Sequence, residues 1–183
     1  MKILVSGASG LIGSALVRRL VDEGNDVARL VRRPPQPGGK EVPWNPETGS
    51  LLAADLERMD AVVHLAGENI AAGRWTAVRK QRLRDSRIKA TRLLCENLRQ
   101  LRQPPQVLVC ASAIGYYGDR GEDELDEGAA PGEGFLAGLV QEWEGATVPA
   151  AESGIRVALA RFGVVLSPAG GALAKQLLPF RLG

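Results

Sequence analysis

Cysteine and histidine are nearly missing from this 183-residue chain, which has two of the first and one of the second. Cys95 and Cys110 lack the short spacing of a metal-binding or redox pair. They are expected as buried thiols, one on a helix and one on a strand, and a reducing cytoplasm is the simplest setting for them. The lone His64 has no activating partner nearby in sequence and is expected to pack at a strand end. No apolar stretch is long enough to span a bilayer, and the opening residues lack the charged-then-apolar layout of a secretory signal. With a strand beginning at residue 2, no targeting extension is expected before it. Metal chemistry and a membrane partner are therefore not anticipated. A hydrophobic content of 45% with 24% charged residues fits one soluble domain with a substantial core.

A net excess of either charge is missing too, since the formal total is only +2. The distribution is uneven, however. Residues 74–102 hold ten Lys/Arg against two acids, and residues 119–133 hold seven acids against one Arg. The basic stretch reads as a long helix with a solvated basic face, of which one or two arginines could meet cofactor phosphates. Nucleic-acid binding, which would be steeply salt-dependent, is a distant third reading. The acidic stretch reads as a surface loop.

What is present begins at the amino terminus. Lys2-Ile3-Leu4-Val5-Ser6 is a short strand pattern, followed by Gly7-Ala8-Ser9-Gly10-Leu11-Ile12-Gly13 and then a helical pattern. Strand, tight turn and helix in this order form a grip for the pyrophosphate of a dinucleotide. Backbone N–H groups at the helix start point at the anion, and the helix dipole favours negative charge there. Gly7 lets the chain turn, Gly10 lets backbone approach phosphate, and Gly13 lets the helix lie close on the strand. Ser9, Leu11 and Ile12 complete this set of expected contacts. A Gly-Lys-Ser/Thr ending is absent, which argues against a P-loop triphosphatase.

Periodicity predicts a helix over residues 11–23, a strand over 26–31, a Pro/Gly loop over 34–39, a short strand near 42–44 and a helical turn near 53–59. The continuous apolar run 61–67 reads as a doubly buried strand. A helix is predicted from 74 to 102, a strand over 107–112, a loop over 118–134 and a helix over 135–151 that Pro149 can end early. A last strand begins at 156–161, followed by Gly163-Val164-Val165-Leu166. Strands alternating with helices imply an α/β fold, a doubly wound parallel sheet.

In such folds the residue closing the second strand meets the adenosine ribose; an acid there suits NAD, and an arginine suits the 2′-phosphate of NADP. The strand here ends Val31-Arg32-Arg33 with no acid. NADP(H) is therefore expected in preference to NAD(H), with Arg32 the leading contact and Arg33 second.

Several segments resemble the extended short-chain dehydrogenase/reductase superfamily. Within it they resemble the NAD-dependent epimerase/dehydratase-like group of "epimerase family" proteins that end in a domain of unknown function. They are residues 7–13, His64-Leu65-Ala66-Gly67-Glu68-Asn69-Ile70, Arg74-Trp75, Ser86-Arg87, Ser112-Ala113-Ile114-Gly115-Tyr116-Tyr117-Gly118, Trp143-Glu144, residues 161–166 and Gly170-Gly171-Ala172-Leu173. The resemblance implies an NAD(P)-binding Rossmann domain over residues 1–167. It also implies a substrate-binding lobe that residues 168–183 begin and of which most is absent. Leu65, Ala66 and Gly67 are implied to lie along the cofactor, with Arg82 and Arg87 facing its cleft and Arg161 and Ser112 at strand ends beside it.

The superfamily's usual engine is a Ser or Thr with Tyr-x-x-x-Lys on a helix, the lysine charge easing proton transfer by the tyrosine. Ser112 can fill the first role. At the expected helix the chain reads Phe135-Leu136-Ala137-Gly138-Leu139, with Phe in place of Tyr and Leu in place of Lys. Tyr117 is the alternative donor. Two functions follow: an NADP-dependent oxidoreductase or epimerase acting on a small carbonyl or sugar-type substrate, or a non-catalytic NADP(H)-binding redox sensor. A monomer and a homodimer are equally open.

Overall fold

The computed structural model describes residues 1–182; Gly183, which falls in the expected start of the carboxyl-terminal lobe (168–183), lies outside them. Six strands form one all-parallel sheet: β1 (Lys2–Ser6), β2 (Asp26–Val31), β3 (Glu41–Pro43), β4 (Ala61–His64), β5 (Val107–Ala113) and β6 (Arg156–Phe162), in spatial order β3-β2-β1-β4-β5-β6. The order reverses between β1 and β4, so the chain leaves these two adjacent strands in opposite directions and opens a crevice at their carboxyl ends. Helices α1 (Leu11–Asp22), α2 (Ala77–Leu98), α3 (Phe135–Gly145), α4 (Val148–Glu152) and α5 (Gly171–Leu182) complete the chain. The doubly wound parallel α/β fold expected from the sequence is the one observed.

Period-two alternation divides the strand side chains between two cores. Ile3, Val5, Val27 and Ala61 meet Val17 of α1 on one face. Leu4, Leu30, Val62, Leu108 and Cys110 meet Leu94, Cys95 and Leu98 of α2 on the other, joined by Val42 and Trp44. Both cysteines are free and fully buried, on the expected helix and strand, and burial pushes their thiols up to about 12.

Several boundaries differ from the periodic reading. The run 61–67 is strand only to His64: Leu65 N still reaches Ser6 O (3.3 Å), but Ser6 Oγ also accepts from Leu65 N (3.0 Å) and Ala66 N (3.2 Å), and the chain leaves the sheet there. The third strand lies one residue earlier than expected and closes at Pro43, which has no N–H. The expected turn over 53–59 is a 3₁₀ turn, Ala53–Leu56. Helix α2 begins at Ala77, where the Thr76 hydroxyl accepts from Arg79 N. The helix expected over 135–151 is two helices, broken at Ala146 and Thr147 ahead of Pro149 in the first turn of α4. Residues 163–166 leave the sheet after Phe162, and the paired glycines Gly170-Gly171 then let the chain close on Leu11. A Cβ on either would stand 3.4 or 3.3 Å from the Leu11 methyls.

Candidate functional site

The crevice at the switch point is a cleft of about 900 Å³. One wall is the glycine turn between β1 and α1. Gly7 is left-handed (φ +67°), and a Cβ there would stand 2.7 Å from the Leu65 carbonyl carbon. A Cβ on Gly13 would stand 2.2 Å from Gly7 O, so only glycine lets the helix seat against the turn. Gly10 is exposed, and a Cβ there would meet little but Gly7 O at 3.3 Å, so the space over it is free for a ligand. Ser14 N is the first α1 amide to bond back, to Gly10 O at 2.9 Å. The helix start carries no side-chain cap and no first-turn acid. The amides of Leu11, Ile12 and Gly13 therefore face outward with the positive end of the helix dipole, which fits a diphosphate.

The opposite wall is Leu65-Ala66-Gly67-Glu68, held by a buried chain of hydrogen bonds. Because Ser6 Oγ accepts from two amides, its own proton goes to His64 Nδ1 (2.7 Å). His64 Nε2–H then donates to Thr91 Oγ1 (3.0 Å), which also accepts from Trp143 Nε1 (2.9 Å). Burial lowers His64 to about 4, so it stays neutral. As expected, it packs at a strand end; its two hydrogen-bond partners come from two other elements and were invisible in its sequence neighbourhood.

The cations expected at the cleft fall into two groups. Arg32 is exposed on the lining and makes no ion pair among the described residues. Arg33 also lines it, but its fork is taken by Glu41 (3.0 and 2.6 Å) and Pro34 O (2.9 Å). Gln36 N and Arg33 together hold the Glu41 carboxyl below its ordinary value against the effect of burial. Val31 lines the same stretch. On α2, Arg82 lines the cleft and pairs with Glu68 at 3.4 Å, while Arg79 bonds both the Glu68 carboxylate and Asn69 O. Arg87 donates to Glu68 O (3.0 Å) and Leu83 O (3.2 Å) and lies over the Trp143 ring, bracing the wall from behind. Ser9, Leu65, Ala66 and Gly67 also line the cleft. The basic helix thus directs three arginines at one loop residue, Glu68, which sequence reasoning quoted only within a matching segment.

Beyond this cleft, at the carboxyl ends of β5 and β6, four polar side chains meet. Ser112 and Arg161 are register partners across the two strands. Arg161 makes a two-pronged pair with Glu144 of α3 (2.8 and 2.9 Å) and donates through Nη1 to Tyr117 Oη (2.8 Å). The Ser112 hydroxyl donates to Glu144. Burial opposes ionisation of Glu144, but bonds from Arg161 and Ser112 outweigh it and keep the carboxyl below its ordinary value. The Arg161 guanidinium also stacks 3.5 Å from the Tyr116 ring centroid. Glu144 was quoted only as part of a matching segment; its partnership with Arg161 needed the fold.

Helix α3 gives the cluster Glu144 from its last turn, while its first turns are apolar. Leu136 and Val140, four residues apart, lie against Gly115 in the turn after β5, whereas Phe135 packs on Trp75 (5.7 Å) and under Lys80 (5.0 Å). Phe135 and Leu139, read in the sequence at the Tyr and Lys positions, and Leu136 and Val140 beside Gly115 all lack a group that transfers a proton. Among the described residues there is no cluster of three metal-ligating side chains, and no helix is long and apolar enough to cross a membrane.

Comparison with known proteins agrees with this geometry. A family model described as "NAD dependent epimerase/dehydratase family" matches residues 3–178. The Mycobacterium bovis "Epimerase family protein Mb2239" is 47% identical over 181 residues, covering 99% of this chain and 59% of that protein. The human "Epimerase family protein SDR39U1" is 38% identical over 186 residues, covering 100% of this chain and 61% of its own length. The chain thus spans about three fifths of these curated relatives. A crystal structure of the human protein (isoform 2) with NADPH superposes with a TM-score of 0.88 at 36% identity, covering 100% of this chain and 60% of that one. A nucleoside-diphosphate sugar epimerase from Corynebacterium glutamicum superposes with a TM-score of 0.86 at 36% identity, covering 100% and 38%.

Proposed function

The chain belongs to the NAD-dependent epimerase/dehydratase family, and from that premise we propose that the whole protein is an NADP(H)-dependent oxidoreductase acting on a small carbonyl or sugar-type compound. The observation that carries this reading is a diphosphate cradle and an uncommitted Arg32 on one side of the crevice, with Ser112 and Tyr117 at the strand ends beyond it. Arg32 selects the 2′-phosphate; Arg33, held by Glu41, sets the loop beside it. The turn amides of residues 7–13 hold the diphosphate, and Leu65, Ala66 and Gly67 lie along the ribose. The bound coenzyme supplies hydride chemistry. Ser112 orients a substrate hydroxyl and Tyr117 gives its proton to the reacting oxygen. Residues 1–167 form the coenzyme domain, and those from 168 begin the lobe that selects the substrate. A sugar-type substrate agrees with the name borne by the Corynebacterium neighbour.

The test follows coenzyme absorbance on the full-length protein against a panel of carbonyl compounds and nucleotide sugars. Sustained NADPH oxidation supports an enzyme. Tight binding without turnover supports the second reading, a non-catalytic NADP(H) sensor, which Phe135 and Leu139 in place of the Tyr/Lys pair favour. Absence of calorimetric heat with either NADPH or NADP⁺ overturns both.

A further inference from the structure

The Tyr-x-x-x-Lys pair has no counterpart on α3, yet a cation does reach a tyrosine here from a different strand. We propose that Arg161, clamped by Glu144, is a positioning residue that takes the place of the absent lysine and makes Tyr117 the catalytic proton donor. The proposal rests on the oxidoreductase reading above and deepens it.

The case is one of donors and acceptors. A guanidinium can only donate, so its 2.8 Å bond to Tyr117 Oη fills a lone pair of the phenol and leaves the phenol's own proton unspent. Among the described residues Tyr117 Oη donates to no acceptor. That proton is free to meet an oxygen bound against the strand ends. Ser112 is the reverse: its proton is committed to Glu144, so it presents a lone pair, suited to orienting a hydroxyl rather than protonating a carbonyl. The two strand-end hydroxyls therefore have opposite roles, one donor and one acceptor.

Arg161 is held so that it can only aim this way. Both Glu144 oxygens engage Nε and Nη2, and Nη1 is left to bridge Tyr117 Oη and Glu127 O (3.2 Å). The Tyr116 ring closes one face of the guanidinium. When the proton leaves Tyr117, the bond from Arg161 becomes one between a cation and a phenolate, which is stronger than the bond to the neutral phenol. That is differential stabilisation, the form of interaction that accelerates a step. For carbonyl reduction the atoms balance: the carbonyl carbon accepts the hydride that bound NADPH supplies, its oxygen takes the Tyr117 proton to give the alcohol, and the phenolate recovers a proton from water.

Two arms test this on the full-length protein. In the first, without substrate, Raman spectra are taken of the tyrosine ring doublet, whose intensity ratio separates an accepting phenol from a donating one. The wild-type minus Tyr117→Phe difference isolates Tyr117. It should show a strongly accepting hydroxyl that Arg161→Met loses and Arg161→Lys largely keeps. In the second, with the panel compound turned over fastest, Tyr117→Phe should lower kcat by about 10²- to 10⁴-fold. Arg161→Met should lower it by about 10- to 100-fold with little change in KM or NADPH affinity, and Arg161→Lys should recover part of the loss. Should Arg161→Met fail to fold because Glu144 is left unpaired, the double variant Arg161→Met/Glu144→Gln replaces it. A doublet that does not respond to Arg161, or a Tyr117→Phe protein with full kcat, overturns the proposal. If no panel compound is turned over, the oxidoreductase reading falls, while the Raman arm still decides the Arg161–Tyr117 arrangement.

Discussion

Acidification should destabilise this protein well before its carboxylates titrate, because of one imidazole. His64 is fully buried, its Nδ1 accepts from Ser6 and its Nε2 donates to Thr91, so a second ring proton would have no acceptor. Burial lowers it from 6.5 to about 4. Below pH 6.5 the unfolded chain takes up a proton that the folded chain refuses, so stability falls as pH falls. Below about 4 both states bind it and the loss levels off. At about 1.4 kcal/mol per unit, the loss reaches about 2 kcal/mol by pH 5 and about 3 kcal/mol by pH 4. His64 is the only histidine, and both cysteines are pushed up to about 12, so between pH 6.5 and 5 no other side chain competes. The carboxylates held low, Glu144, Glu41 and Asp26, add their own losses only as pH falls below their ordinary values. Urea denaturation followed by far-ultraviolet circular dichroism at intervals from pH 7.5 to 4.5 is the assay. A loss of 2 kcal/mol moves the midpoint down by roughly 1 M. A His64→Gln protein, weaker at pH 7, should show a flat midpoint over pH 6.5 to 5. A flat wild-type profile in that window, or the same slope in the variant, refutes the reasoning.

Other outcomes follow from single contacts. Gly13→Ala places a Cβ 2.2 Å from Gly7 O, so the turn must open; a loss of about 1–3 kcal/mol in stability and weaker coenzyme binding are expected by thermal denaturation and calorimetry. Arg32→Ala should weaken NADPH binding by about 10- to 100-fold and leave NADH binding nearly unchanged, whereas Arg33→Met should affect the two alike, since its guanidinium serves Glu41. Thr91→Val removes the shared acceptor of His64 Nε2 and Trp143 Nε1 and should cost about 2–4 kcal/mol in chemical denaturation, with a red-shift of tryptophan emission.

The parallel sheet, its helices and the diphosphate turn were legible in the order of residues because each depends on local chemistry. Alternating apolar strands, helical periodicity and three glycines spaced by three act within a few bonds of one another. Prolines and caps moved the boundaries, as at Thr76 and Pro149, without changing the class of any long element. Long-range partnerships were not legible. That His64 links Ser6 to Thr91, which Trp143 also bonds, that Glu41 occupies Arg33 while Arg32 makes no ion pair among the described residues, and that Glu144 aims Arg161 at Tyr117 are all matters of residues from different elements. A side chain's type states which bonds it can make; only the packed sheet and helices, by bringing a particular donor within 3 Å of a particular acceptor, decide which bonds it does make and which groups are left free for a ligand.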